Sequence, residues 1–163
     1  MRAQEIMSSN PACCTPNATV QDVARIMKEH DCGCVPVVDS LDSRRLLGVV
    51  TDRDLAVRGL AEGKGADAPV DGVMTKSPYT ARPETDLREI QEAMAARQLR
   101  RVPIVDADGC CVGIIAQADL ARSAGERVSE RDVAVVVERI SKPAPESGGS
   151  RGSSELGGSG QRM

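Results

Sequence analysis

Four consecutive side chains at the end of an apolar run, Thr51, Asp52, Arg53 and Asp54, carry a hydroxyl, two carboxylates and a guanidinium. The preceding Gly48-Val49-Val50 reads as a strand and the following residues as a helix, so Thr51 stands where its hydroxyl can cap the helix start and Asp54 can answer in a Thr-x-x-Asp box. That local role is sufficient by itself. The same spacing also suits a ribose and its phosphate, because free helix amides attract an anion and a carboxylate accepts from both ribose hydroxyls. A second stretch, Gly113-Ile114-Ile115-Ala116-Gln117-Ala118-Asp119, keeps the carboxylate as Asp119 but has Ala116 in place of the capping hydroxyl. A carboxylate kept without its capping partner favours the ligand reading, with helix-dipole stabilisation as the alternative.

Other chemistry is sparse. The single histidine, His30, lies in Lys28-Glu29-His30-Asp31, read as an exposed helix end, and no triad or convergent carboxylate pair is visible, so no catalytic centre is expected. Six cysteines form the clusters Cys13-Cys14, Cys32-Gly33-Cys34 and Cys110-Cys111, which lack zinc-knuckle spacing. Buried or half-buried reduced thiols are the favoured reading, with a redox-responsive pair and a metal site as alternatives. With no Trp, no Phe, only Tyr79, a net charge of -3 and a pI near 5.3, the chain suits neither stacking on single strands nor a phosphate backbone. No nucleic-acid partner is expected. The N-terminus shows no signal peptide and there is no apolar run of membrane-spanning length, so a soluble, cytoplasmic protein is expected, without a membrane partner.

The elements that position these residues occur twice. At a shift of 67 residues Pro11 falls on Pro78, Val23 on Ile90, Met27 on Met94 and Val35-Pro36-Val37-Val38-Asp39 on Val102-Pro103-Ile104-Val105-Asp106. Beyond Asp39 the first copy is two residues longer, and the match resumes at Gly48 and Gly113 with a shift of 65. Val20, Val23, Ala24 and Met27 share one helical face, reproduced by Leu87, Ile90 and Met94. Thr19 is the expected cap of the first helix, and Thr85 or Asp86 that of the second. Pro36 removes a ladder donor, predicting an edge or an irregular start, and Asp108-Gly109 predicts a hairpin turn. Asp39 and Asp106 read as turn-starting residues.

Each copy therefore runs extended lead-in, helix, strand, strand, helix: an α/β (α+β) chain of two βαββα-like units packed with pseudo-twofold symmetry. The expected division is a first unit at 4–62, a crossover linker at 63–72, a second unit at 73–125, a C-terminal packing segment at 126–142 that returns to the first copy, and a disordered Gly/Ser-rich tail at 143–163. Either unit is small to be stable alone.

These paired signatures resemble a tandem cystathionine-beta-synthase (CBS) domain pair, or Bateman module, over about Gln4 to Ile140, and are most similar to bacterial stand-alone pairs. The resemblance implies a regulatory or sensor module, with no required cofactor, whose clefts bind an adenosyl nucleotide such as AMP, ADP, ATP or S-adenosylmethionine. It further implies a homodimer acting on an effector protein the sequence does not name. By the family pattern one cleft joins Thr51, Arg53 and Asp54 to Tyr79, Thr80 and Ala81. The other joins Ala116 and Asp119 to Cys13 and Cys14, with Arg100 and Arg101 placed for phosphate. A non-catalytic structural or redox-responsive interaction protein with empty clefts is the alternative.

Overall fold

A computed structural model describes residues 1–123 and 130–142; the expected tail at 143–163 lies outside the described residues. The first copy contains β1 (Ser8–Ser9), α1 (Val20–Glu29), β2 (Cys34–Val38), β3 (Leu46–Thr51) and α2 (Asp52–Asp54), which continues as a π-helical turn over Leu55–Gly59. The second contains β4 (Thr75–Lys76), α3 (Leu87–Arg97), β5 (Arg101–Val105), β6 (Cys111–Ala116) and α4 (Gln117–Ser123), followed by α5 (Glu130–Ser141). Thr19 caps α1, accepting from the Asp22 amide while the Asp22 carboxylate accepts from the Thr19 amide. Asp86 caps α3, accepting from Arg88 N.

The strands form two antiparallel sheets, ordered β2-β3-β4 and β1-β6-β5. Each sheet thus takes its third strand from the other copy's lead-in, Ser8 facing Ile114 and Thr75 facing Val49. Reciprocal exchange of equivalent segments is the arrangement a twofold relation produces. Glycine makes it possible: a Cβ at Gly48 would stand 2.5 Å from the Thr75 carbonyl oxygen, and one at Gly113 would run into the Met7 side chain. Pro36 lies on an edge strand, as its missing N–H requires, with a register shift one residue further on. The Asp108-Gly109 turn forms with Gly109 at φ +80.

Buried side chains collect in two clusters, one per sheet. The first holds Val23, Met27, Val35, Val37 and Val50 together with Val70, Val73 and Met74 of the second lead-in. The second holds Leu87, Ile90, Met94, Ile104, Ile115 and Leu120 together with Ala3 of the first. The end of the expected crossover linker is consequently core. The C-terminal segment differs from expectation: α5 packs on α3 and α4 of the second copy, sending Val136 and Ile140 into the second cluster. Val133, Val136 and Ile140 fall on one helical stripe, and α3 offers it a wide face on which even Gln91 is buried. Ala24, the residue equivalent to Gln91, has no such cover and is exposed. Between the copies, the extra residues of the first hairpin act as a clamp, with Arg44 donating to Pro11 O at 2.7 Å and Cys111 O at 3.2 Å.

Candidate ligand clefts

Two clefts flank the seam between the copies. The larger, cleft one, has a volume of about 760 Å³, within the range of small-ligand sites. Its floor is the β3–α2 junction. Thr51 Oγ1 accepts from Asp54 N at 3.1 Å, while Asp54 Oδ2 accepts from Thr51 N and Oγ1, both at 2.9 Å. Asp54 Oδ1 has an ion pair to Arg58 at 3.8 Å, too long for a hydrogen bond. Arg53 stands beside it, and the opposite walls are Ser77 to Tyr79, the α3–β5 connection and the end of α5. Arg97 lies over the Tyr79 ring at 4.9 Å, a cation–π distance.

Cleft two, about 420 Å³, is lined by Pro11, Ala12, His30, Asp31, Ala116 and Asp119, among others. Asp119 is 6% exposed. Its Oδ2 accepts from Ala116 N at 2.6 Å and its Oδ1 from Arg122 Nη2 at 2.5 Å, so the capping bond to the backbone survives without the threonine. A structural reason for keeping this carboxylate therefore exists, contrary to the expectation drawn from Ala116.

Thr51, Arg53 and Asp54 come together with Tyr79, but Thr80 and Ala81 stay outside the cleft-one walls. Ala81 is held by its backbone beside β5, accepting from Val105 N and donating to Pro103 O, and its side chain enters the second core. Cys14 is held in the same way beside β2, leaving Pro11 and Ala12 as the wall of cleft two where Cys13 and Cys14 were expected. Arg100 and Arg101 were assigned to the Asp119 cleft; Arg100 lines cleft one and Arg101 lines both, because its side chain crosses the seam to Gly33. Sequence reasoning missed Arg97, Lys142, His30 and Arg122 as cleft residues. Only Arg122 carried a local signal, standing three residues after Asp119 on one helical face.

The thiols split into two kinds. Burial pushes Cys14 and Cys34 up to about 12. Cys13 is lowered, first by a hydrogen bond with Cys111 and further by the Arg44 guanidinium, while that hydrogen bond and burial raise Cys111. All six cysteines are free, and among the described residues no group of three or more His, Cys, Asp or Glu side chains could hold a metal. No helix among them is long and apolar enough to cross a membrane.

Comparison with known proteins agrees with this architecture. The CBS domain family matches twice, at residues 3–59 and 70–126. The chain is 39% identical over 118 residues to the CBS domain-containing protein YhcV of Bacillus subtilis, covering 72% of this chain and 81% of that protein. It is 34% identical over 121 residues to hypoxic response protein 1 of Mycobacterium tuberculosis, covering 74% and 82%. Among solved structures, CBSX2 in complex with AMP superposes with a TM-score of 0.68 at 30% identity, covering 77% of this chain and 96% of that one. Similar structures also include a conserved CBS domain protein of unknown function from Thermoplasma acidophilum, at a TM-score of 0.73 and 27% identity over 85% of this chain and 75% of that one. Two copies of one unit, exchanged lead-in strands and the double family match lead to one identification: the chain belongs to the CBS-domain family, as a tandem pair.

Proposed function

We propose that this CBS pair is a non-catalytic sensor that binds an adenosyl nucleotide at cleft one and passes its occupancy to an effector protein. The observation that carries the reading is the convergence, in one 760 Å³ cleft, of the Asp54 carboxylate at a helix start with Arg53, Arg97, Arg100 and Arg101. Asp54 Oδ1 accepts from ribose hydroxyls, the guanidiniums take the phosphate, and Ser77 to Tyr79 border the base. The likeness to CBSX2, solved with AMP, supports the ligand class. Val57 and Leu60, 46% and 77% exposed and three residues apart, support association into a homodimer through that helical side.

Calorimetry with adenosine, AMP, ADP, ATP and S-adenosylmethionine tests the reading, with Asp54→Ala as control. Binding below about 1 mM, equivalent to about 4 kcal/mol, that weakens in the variant is the expected result. No binding by any of the five ends it. The Cys13–Cys111 contact favours one second reading, a redox-responsive interaction protein. It predicts a peroxide-dependent change of assembly, seen by light scattering, that no nucleotide alters.

A further inference from the structure

Cys34 and Arg101 occupy equivalent strand-start positions, 67 residues apart, and both line both clefts. One is a buried neutral thiol, the other a cation. Arg101 Nη2 lies against Gly33, where a Cβ would come within 2.7 Å of it and within 3.0 Å of Asp52 Oδ2. The guanidinium therefore sits in the seam, and the duplication has left one cation where a symmetric pair would have two or none.

The remaining charges are unequal. Without Arg101, cleft one keeps Arg53, Arg97, Arg100 and Lys142 against Asp52 and Asp54. Cleft two keeps Arg122 against Asp31 and Asp119, and Arg122 is already bound by Asp119 at 2.5 Å. An anion in cleft one draws Arg101 to its own side and leaves cleft two facing it with a net negative lining.

We propose that the two clefts divide adenosyl ligands by charge, with Arg101 as the shared selector: a phosphate-bearing nucleotide fills cleft one, and cleft two then accepts an uncharged or cationic adenosyl compound. The inference rests on the nucleotide-sensor reading above. Two phosphates competing for one guanidinium oppose each other reciprocally, so a second phosphorylated ligand binds the occupied chain at least about tenfold more weakly than the first. An uncharged ligand escapes that penalty.

The test is calorimetry on the full chain with AMP alone, adenosine alone, and adenosine added to AMP-saturated protein. One AMP per chain, with adenosine still binding the AMP-saturated chain, is expected. Arg101→Ala should weaken AMP by about 10- to 100-fold and move adenosine by less than about twofold. Arg101→Gln, which keeps most of the stem, should repeat the result if the alanine variant folds poorly. Asp119→Ala should remove the adenosine event on AMP-saturated protein and spare AMP. Two equal AMP sites, exclusion of adenosine by AMP, or equal losses for both ligands at Arg101→Ala would overturn the division and leave the sensor reading intact. Absence of binding by both ligands would remove the sensor reading and this inference together.

Discussion

Asp54 and Asp119 stand at the same position of the two copies and end in different states. Asp54 spends one oxygen on Thr51 and keeps the other within 3.8 Å of Arg58, with 16% of its side chain exposed. Asp119 spends one oxygen on the Ala116 amide and the other on Arg122, with 7% exposed. An identical motif residue can thus keep one oxygen free of hydrogen bonds in one copy and have both oxygens engaged within its own helix in the other, each still with a lone pair to offer. The residue one turn later decides: Arg58 is four positions on and reaches poorly, Arg122 is three positions on and reaches well.

The comparison breaks most severely at the glycines that admit the exchanged strands. Gly48 supports β4, which leads into the Ser77–Tyr79 wall of cleft one, and Gly113 supports β1, which leads into the Pro11–Ala12 wall of cleft two. A methyl at Gly48 meets backbone oxygen, whereas at Gly113 it meets a flexible methionine. Gly48→Ala should cost about 3 kcal/mol and Gly113→Ala about 1 kcal/mol, measured by urea unfolding. Equal losses would show that both segments can shift.

Binding sharpens the contrast. Asp54→Ala should lose about 1–3 kcal/mol of nucleotide affinity, because it removes a charge-assisted acceptor and strands its donors. Asp119→Ala should leave nucleotide affinity at cleft one unchanged and lower the stability of α4. Calorimetry and thermal melts on the same two variants separate these outcomes, and the reverse pattern would reassign the phosphate cleft.

How much of this was legible in the sequence follows from which contacts are local. The repeat, both helical faces, the Thr19 cap and the Gly109 turn depend on neighbours within a few residues, and the sequence displays them. The Thr51–Asp54 box was legible for the same reason. That Arg101 lines cleft one as well as the Asp119 cleft was hidden, because its destination, Gly33, is distant in sequence and belongs to the other copy. The exchange of Ala3 and Val70 between cores was hidden likewise, since either lead-in satisfies the same apolar pattern in either sheet. The placement of α5 turned on the width of a face, set by Gln91, a polar residue that periodicity alone keeps outside.

The copies also differ in their thiols, which alkaline solution exposes. Cys14 and Cys34 belong to the first copy's strand layer, and their thiols are held up to about 12, whereas unfolded thiols ionise near about 8.5. A raised folded value gives stability that is full below the unfolded value and is lost as pH rises from there to the folded one. Cys13, lowered by Cys111 and Arg44, acts in the opposite direction, its contribution appearing as pH rises. Three buried thiols, Cys14, Cys34 and Cys111, are raised against the one lowered at Cys13, so in reductant the chain should lose about 3–4 kcal/mol between pH 8 and pH 10. Cys14→Val with Cys34→Val should remove more than half of that slope in urea titrations, with Cys111 carrying the rest. An unchanged slope would trace it to other groups.

The smallest expected difference concerns the caps themselves. Thr51→Ala takes the hydroxyl from Asp54 N and leaves that third helical amide to water, at about 1 kcal/mol. Asp54 keeps its bond from the backbone amide of residue 51, so the helix start loses one of two reciprocal bonds, the state Ala116 already shows beside Asp119. Ala116→Thr makes the opposite change, and should return up to about 1 kcal/mol provided its hydroxyl reaches the Asp119 amide. Asp119 Oδ2 already accepts from the residue 116 amide at 2.6 Å, so the carboxylate needs no new rotamer. Half-exposure of Ala116 leaves room for the two added heavy atoms. Thermal melts of the two variants should move in opposite directions by a few degrees. A loss of stability in both would mean that Arg122 has fixed Asp119 so firmly that a second capping donor cannot be fitted, and the two clefts would then differ in backbone placement as well as in side chains.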